Sequence, residues 1–404
     1  MNRMTFSSIL LAVILLGLGS QNACAQYEIT VTAGAYDRMG SVVSFTLPDD
    51  VEAGTYTLQS ESGESAVLQV DEQNRGSFIL DELSAGSSRT YTLDLDAATA
   101  GDNTVHSSYD HNTITFSDGQ SEVLSYYYRQ NELPEGMHEM YHQAGYIHPV
   151  FSPDGVPLTN HLDPKVHTHH YGIWAAWTNT EFQGRTPDFW NPDRFTGRID
   201  HADSVETAWE GPVHAGLTAM NYYVDISSSA PVIALNEKWK LVIYDTPESS
   251  NYHVFDLVLT HTTNTAQPLV LPEYRYGGLA FRGHAEWDNP ENVTFLTSEG
   301  NDRSNGNETR ARWAHMGGLV KGQRAGIAVL GHPDNFRAPQ PIRVHPETPY
   351  FVWAPMQLGE MKIEPGSPYV MRYRFITHDG KPDPEKLERL WRDYAYPPGV
   401  SVRR

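Results

Sequence analysis

A chain of 404 residues can bury more than one hydrophobic core, and length alone favours two domains. A formal charge of −21 argues against nucleic acid or an anionic membrane as partner and suits a neutral ligand or a cation better. The single cysteine, Cys24, excludes a disulfide within the chain.

The first 25 residues read as a signal peptide. Asn2 and Arg3 give a weakly positive start, and Ile9 to Leu18 form a short apolar run. Ala23-Cys24-Ala25 then supplies the small-x-small pattern that signal peptidase cuts, leaving Gln26 as the new N-terminus. A lipoprotein anchor on Cys24 is the competing reading, disfavoured because Gln21 stands where such anchors have Leu. Cleavage would also remove the one thiol. No later stretch approaches the roughly 18 apolar residues of a membrane helix, so the expectation is a periplasmic or secreted protein with no integral membrane segment.

From 26 to 122 the sequence predicts short strands separated by turns, among them Ser41–Leu47, Ala66–Val70, Gly76–Leu80, Ser88–Leu95 and Thr113–Phe116. That spacing fits a small immunoglobulin-like sandwich, poor in catalytic residue types, that serves as a platform.

Composition changes beyond it. The region 123–404 holds all nine tryptophans and most of the histidines. Long β runs at Lys238–Tyr244, His253–Leu259, Ala325–Leu330 and Tyr369–Phe375, without repeats, predict a large two-sheet sandwich. One helix is expected near the end. Asp383 caps it, Pro384 starts it, Leu387, Leu390, Trp391 and Tyr394 form its apolar stripe, and Pro397-Pro398 ends it.

The densest polar cluster runs from His161 to Trp174. On an extended segment His167 and His169 share one face and His170 takes the other. Imidazoles so placed can bind a metal, hydrogen-bond a sugar or shuttle a proton, whereas the plainer reading is a solvated loop. His148 sits at a turn upstream. Asp188 beside Trp190 offers a sugar contact, or else caps its own loop. Glu273 and Arg275 share a face if their segment is a strand, and Gly277-Gly278 allows a close approach of backbone or ligand. Glu273 is therefore either an acid–base partner or one half of an ion pair with Arg275 or Arg282. His332 and Asn335 follow a buried strand, in a loop of the kind that carries function. Elbows for a serine nucleophile, phosphate loops, zincin motifs and dinucleotide motifs are absent.

Several of these pieces occur in an order that resembles a known family. They are Ile147-His148-Pro149, Ser152-Pro153-Asp154-Gly155, His167-x-His169-His170-x-Gly172-Ile173-Trp174 and Asp188-Phe189-Trp190. Tyr276-Gly277-Gly278-Leu279 with Arg282, His332-Pro333-x-Asn335, and Tyr373-Arg374-Phe375 with His378-Asp379-Gly380 follow. Over about 125–396 the chain resembles the bacterial PmoA-like family of unknown function. The resemblance implies a galactose-mutarotase-like β-supersandwich and a carbohydrate-related setting, and fold analogy does not itself give function.

The leading expectation is an exported enzyme acting on a glycoside as hydrolase, lyase or epimerase. His167, His169 or His170 would act as acid or base with Glu273 as partner. His148, Asp188, Arg282, His332 and Asn335 would bind substrate, with Trp174 and Trp190 stacking on sugar rings. No cofactor is required. The alternatives are a non-catalytic glycan-binding protein and a metalloprotein built on the histidine cluster.

Overall fold

A computed structural model describes residues 26–98, 104–246 and 251–404. The leader at 1–25, with Cys24, lies outside the described residues. The molecule is nearly all β: a seven-, a nine- and an eight-stranded sheet, a two-stranded ribbon, and, among the described residues, one α-helix. Among the described residues, no helix is long and apolar enough to cross a membrane.

Alternation builds the strands. In Gln26–Thr32, Tyr27, Ile29 and Val31 are buried while their neighbours face outward, a period of two that only a pleated strand satisfies. This strand belongs to the seven-stranded sheet, whose own core contains Leu58, Leu68, Phe78, Leu80 and Leu93. The opposite end of the chain completes that sheet: Gly399–Arg403 pairs antiparallel with Gln26–Thr32. Strands Val105–Tyr109 and Thr113–Asp118, expected with the N-terminal unit, hydrogen-bond instead into the nine-stranded sheet. Their alternation fits either sheet, and the choice of partner is a long-range matter.

The nine- and eight-stranded sheets lie face to face as a large sandwich. Ile173, Leu279, Phe281, Phe351 and Trp353 of the first share one core with Trp239, Leu241, Phe255, Met371 and Phe375 of the second. Inside it a polar knot is sealed. Glu237 accepts from His261 Nε2 at 2.7 Å, Tyr223 Oη at 3.1 Å and Asn221 Nδ2 at 3.0 Å, and Trp177 Nε1 donates to His261 Nδ1 at 3.1 Å. That donation leaves the histidine neutral, its Nε2–H pointing at the carboxylate.

The helix, Pro384–Ala395, forms where expected. The Asp383 side chain accepts from the backbone N–H groups of Glu385 and Lys386, Pro384 opens the first turn, and Leu387, Leu390 and Trp391 are buried. They pack on the other face of the eight-stranded sheet, against Val254, Ala328, Leu330 and Ile376. The same helix grips the N-terminal unit. Asp393 pairs with Arg38 at 2.9 Å and accepts from Ser41 Oγ at 2.9 Å, both carboxylate and guanidinium being buried. Gln69 extends the junction, accepting from the N–H groups of Val213 and His214 and donating to the His214 carbonyl.

Candidate functional site on the outer face of the nine-stranded sheet

The pleat that sends Ile173, Leu279, Phe281 and Phe351 into the core sends their neighbours to the outer face. Register then lines them up. Trp174 pairs with Ala280 and Ala280 with Val352, Val352 pairs with Arg343, and Arg282 pairs with Tyr350. Trp174, Trp190, Tyr350 and Val352 form a buried apolar floor there.

The segment 161–170 lies across this floor as a loop rather than a strand. Its N–H at His170 donates to the His167 carbonyl at 3.0 Å, closing a turn. Leu162 at φ 49° and His167 at φ 55° are left-handed, a conformation bulky residues avoid and one that clusters at functional loops. The turn overrides the expected alternation and brings all three rings together. His167 and His170 stack at 4.7 Å between centroids, His169 meets His170 edge-on at 5.0 Å, and one nitrogen from each ring lies within 4.8 Å of the others. His170 also packs on Tyr350 at 4.4 Å and Trp174 at 4.9 Å.

Asp163 ties the loop to the sheet. It accepts from Asn160 Nδ2, from the Lys165 N–H and from Arg282 Nη2 at 3.1 Å. Arg282 is fully buried and reaches Asp288 at 3.0 Å through the same nitrogen. Its Nε and Nη1 have no partner, nor has His170 Nδ1. The close backbone approach that makes this possible needs Gly172. It has φ 66°, and a Cβ there would collide with the Ile147 carbonyl oxygen.

Residues from 303 to 350 complete the group. His345 stands 5.4 Å from His167 and stacks on Tyr350 at 5.0 Å. Arg303 Nε donates to the His345 carbonyl at 3.1 Å. Sequence reasoning missed His345, Tyr350, Arg303, Arg343 and Asp163. Arg343-x-His345 before an aromatic strand was a visible signal, whereas Arg303 sits in a polar loop with none.

Burial keeps these imidazoles neutral. His169 falls to about 4, by burial first and then by His167, with Asp193 and Asp188 pulling the other way. His345 falls to about 4 through burial, then His167 and the guanidiniums of Arg343, Arg303 and Arg275. His170 is held well below the usual histidine range by burial, its histidine neighbours and Arg282. Burial pushes the Tyr350 hydroxyl up to about 12. At neutral pH the group therefore offers unprotonated imidazole lone pairs, able to accept a hydrogen bond or bind a metal, and open to a proton when a ligand strengthens their basicity, beside a protonated phenol.

The other expected residues go elsewhere. Glu273 is exposed on an irregular segment and makes no hydrogen bond or ion pair with the histidines, Arg275 or Arg282 among the described contacts. The expected acid–base couple with the imidazoles is not formed, because 272–277 is not a strand. Gly277 and Gly278 admit Trp177 and the Trp353 carbonyl, not a ligand. Trp174 and Trp190 pack with tilted rings 5.1 Å apart but are buried beneath the histidines, without an open face for a sugar ring. Asp188 spends its oxygens on its own loop, accepting from the Trp190 and Asn191 N–H groups, Thr178 Oγ1 and Asn191 Nδ2. His148 stacks on His161 at 3.9 Å and bonds Thr159 Oγ1, and His161 bonds Tyr146 Oη. Asn335 pins its loop to Arg372 through both backbone groups, and His332 packs on Tyr394 of the helix, away from the triplet.

A family model described as a family of unknown function (DUF6807) matches residues 113–392. The chain belongs to that family. The match extends over both large sheets and the helix, and its description contains no PmoA-like name. No curated protein matches the chain. Solved structures with a similar course include an α-mannosidase from Enterococcus faecalis V583, at 9% identity and TM-score 0.41, covering 94% of this chain and 46% of that one. A glycosyl hydrolase family 38 protein from Enterococcus faecalis gives 9% identity, TM-score 0.41 and coverages of 94% and 47%. The heparan sulfate lyase HepC from Pedobacter heparinus gives 11% identity, TM-score 0.29 and coverages of 71% and 38%. This chain thus spans less than half the length of each.

Proposed function

We propose that this member of the family is an exported carbohydrate-active enzyme, acting on a glycoside as hydrolase, lyase or epimerase at the outer face of the nine-stranded sheet. One observation carries the reading: three neutral imidazoles, His167, His169 and His170, gather beside Tyr350 and a buried Arg282 with unpaired N–H groups. A neutral imidazole takes a proton, a phenol can give one, and a guanidinium stabilises developing negative charge. Motifs behind the PmoA-like resemblance support the placement, since His167–Trp174 and Arg282 fall on this face. Export rests on the N-terminal sequence. Glu273 has no part in the proposal.

A screen of tag-free protein on oligosaccharides, reading new reducing ends, unsaturated products and epimers, tests it. His167→Asn and His169→Asn should lower the detected turnover by about 10²–10⁴-fold with an unchanged melting temperature. Full activity in both variants would remove the triplet from the mechanism.

A second reading, a histidine-bound metal, is favoured by the same triplet. Zinc–nitrogen bonds of 2.0–2.1 Å put tetrahedral ligands about 3.3 Å apart, so ring nitrogens already within 4.8 Å of one another need to close by about 1.5 Å at most. His167, His169 and His170 would hold the ion, which would supply Lewis acidity. Elemental analysis of tag-free protein decides between the two; a stoichiometric metal favours the second, and a metal-free, fully active preparation ends it.

A further inference from the structure

We propose that the site takes an acidic sugar, its carboxylate held by Arg282, Arg303 and Arg343; this rests on the carbohydrate reading above and names its substrate class. Buried polar groups are paired in nearly all folded proteins, and an unpaired buried charge is costlier than an unpaired amide. Around Tyr350 and His345 that rule fails repeatedly. Arg282 spends Nη2 on both Asp163 and Asp288 and leaves Nε and Nη1 without partners. Arg303 is anchored through Nε to the His345 carbonyl and leaves Nη1 and Nη2 unpaired. Those two nitrogens form the end-on fork that matches the two oxygens of a carboxylate. Arg343 gives Nη1 to Asn307 Oδ1 at 2.9 Å and leaves Nε unpaired.

These donors belong to one neighbourhood. Arg343 shares the outer face with Val352 by register, and Arg282 pairs across strands with Tyr350. Arg303 holds the backbone of His345, whose ring stacks on Tyr350. Arg275 adds a fourth guanidinium, over the Tyr276 ring at 5.5 Å. Of the nearby carboxylates, Asp163 and Asp288 share one nitrogen of Arg282, and Asp188 and Asp193 lie on the His169 side, so the unpaired guanidinium nitrogens are left without an acceptor. The histidines between them are neutral and add no charge. What distinguishes this face is its unpaired guanidinium donors, which an anion can accept from and a cation cannot. A planar fork suits the two oxygens of a carboxylate, and a uronic acid is a sugar that carries one.

Calorimetric titration of the full chain tests this with oligouronides from pectin and alginate, the same oligomers after carboxyl reduction, and sulfated neutral oligosaccharides. The expected result is uronide binding that falls at least tenfold on carboxyl reduction. It should fall about tenfold or more in Arg303→Gln and in Arg343→Gln, both with unchanged melting temperature. Both arginines are half-buried, and the melting temperatures of the variants report whether the bonds from Arg303 to the His345 carbonyl and from Arg343 to Asn307 matter to folding, so the test does not depend on an Arg282 variant. Equal affinity for acidic and carboxyl-reduced oligomers overturns the inference and leaves the carbohydrate reading standing. Binding of the sulfated but not the uronic oligomers overturns the carboxylate assignment. Absence of binding and turnover across the whole panel overturns the carbohydrate reading itself.

Discussion

At the scale of single residues, what decides a role is which neighbours burial leaves within reach. The Asp245 carboxyl shows this away from the site, pushed up to about 7 by burial and then by the adjacent Asp118. Unfolded, it titrates near the ordinary 3.8. Between about pH 4 and pH 7 the folded chain holds a proton that the unfolded chain has lost, so stability falls as pH rises through that window and the loss is complete above it. Asp245→Asn should flatten this decline and raise stability at pH 8 by about 1 kcal/mol, partial exposure having reduced the effect. Urea unfolding midpoints at pH 5 and pH 8 check it; equal slopes in both proteins would contradict it. The same logic divides the site residues. His167, His169, His170 and Arg282 were legible as chemistry-bearing types in dense motifs. Glu273 was legible too, yet an irregular segment leaves it in solvent. Asp163, Arg303 and Tyr350 gain their meaning only from contacts far apart in the chain, 119 residues for Asp163 with Arg282 and 42 for Arg303 with His345, or across strands for Tyr350, which no local pattern records.

Among the elements, many strands were legible, by alternation in Gln26–Thr32 and by unbroken β-rich runs in Tyr252–Thr263 and Tyr369–Asp379, whereas Gly197–Trp209 and His214–Asp225 were not read as strands. The helix was legible to its cap. Sheet membership was not: Thr113–Asp118 pairs with the large domain, and Gly399–Arg403 returns to the first strand. The expected sharing of a face by His167 and His169 was conditional on an extended segment, and neither the turn closed by the His170 N–H on the His167 carbonyl nor the left-handed φ of His167 is signalled by those residue types. Gly172 is where this element is most vulnerable. Its N–H donates to the Asn160 carbonyl, and its carbonyl accepts from Arg282 N–H at 2.7 Å. Gly172→Ala adds a Cβ at positive φ against the Ile147 carbonyl and should cost about 2–4 kcal/mol. Thermal unfolding measures the cost; a loss below about 0.5 kcal/mol would show that the loop does not depend on that approach.

For the whole molecule, the helix links the two units and the charge distribution separates surface from site. Arg38 and Asp393 are both buried, so removing one partner strands the other. Asp393→Ala should cost about 3–5 kcal/mol and split one calorimetric transition into two, whereas a single unshifted transition would mean the units are held elsewhere. Net charge pointed to a neutral or cationic ligand, a reading of the average surface that misses a local cluster of guanidiniums. The central claim is that ligand meets the outer face of the nine-stranded sheet. An alternative place exists in the cavity of about 540 Å³ between the units, lined by Arg75, Trp209, His214 and Lys240. Hydrogen–deuterium exchange with a bound oligosaccharide separates the two. The account predicts protection at 161–170 and 341–350; protection confined to 71–77 and 207–218 would contradict it.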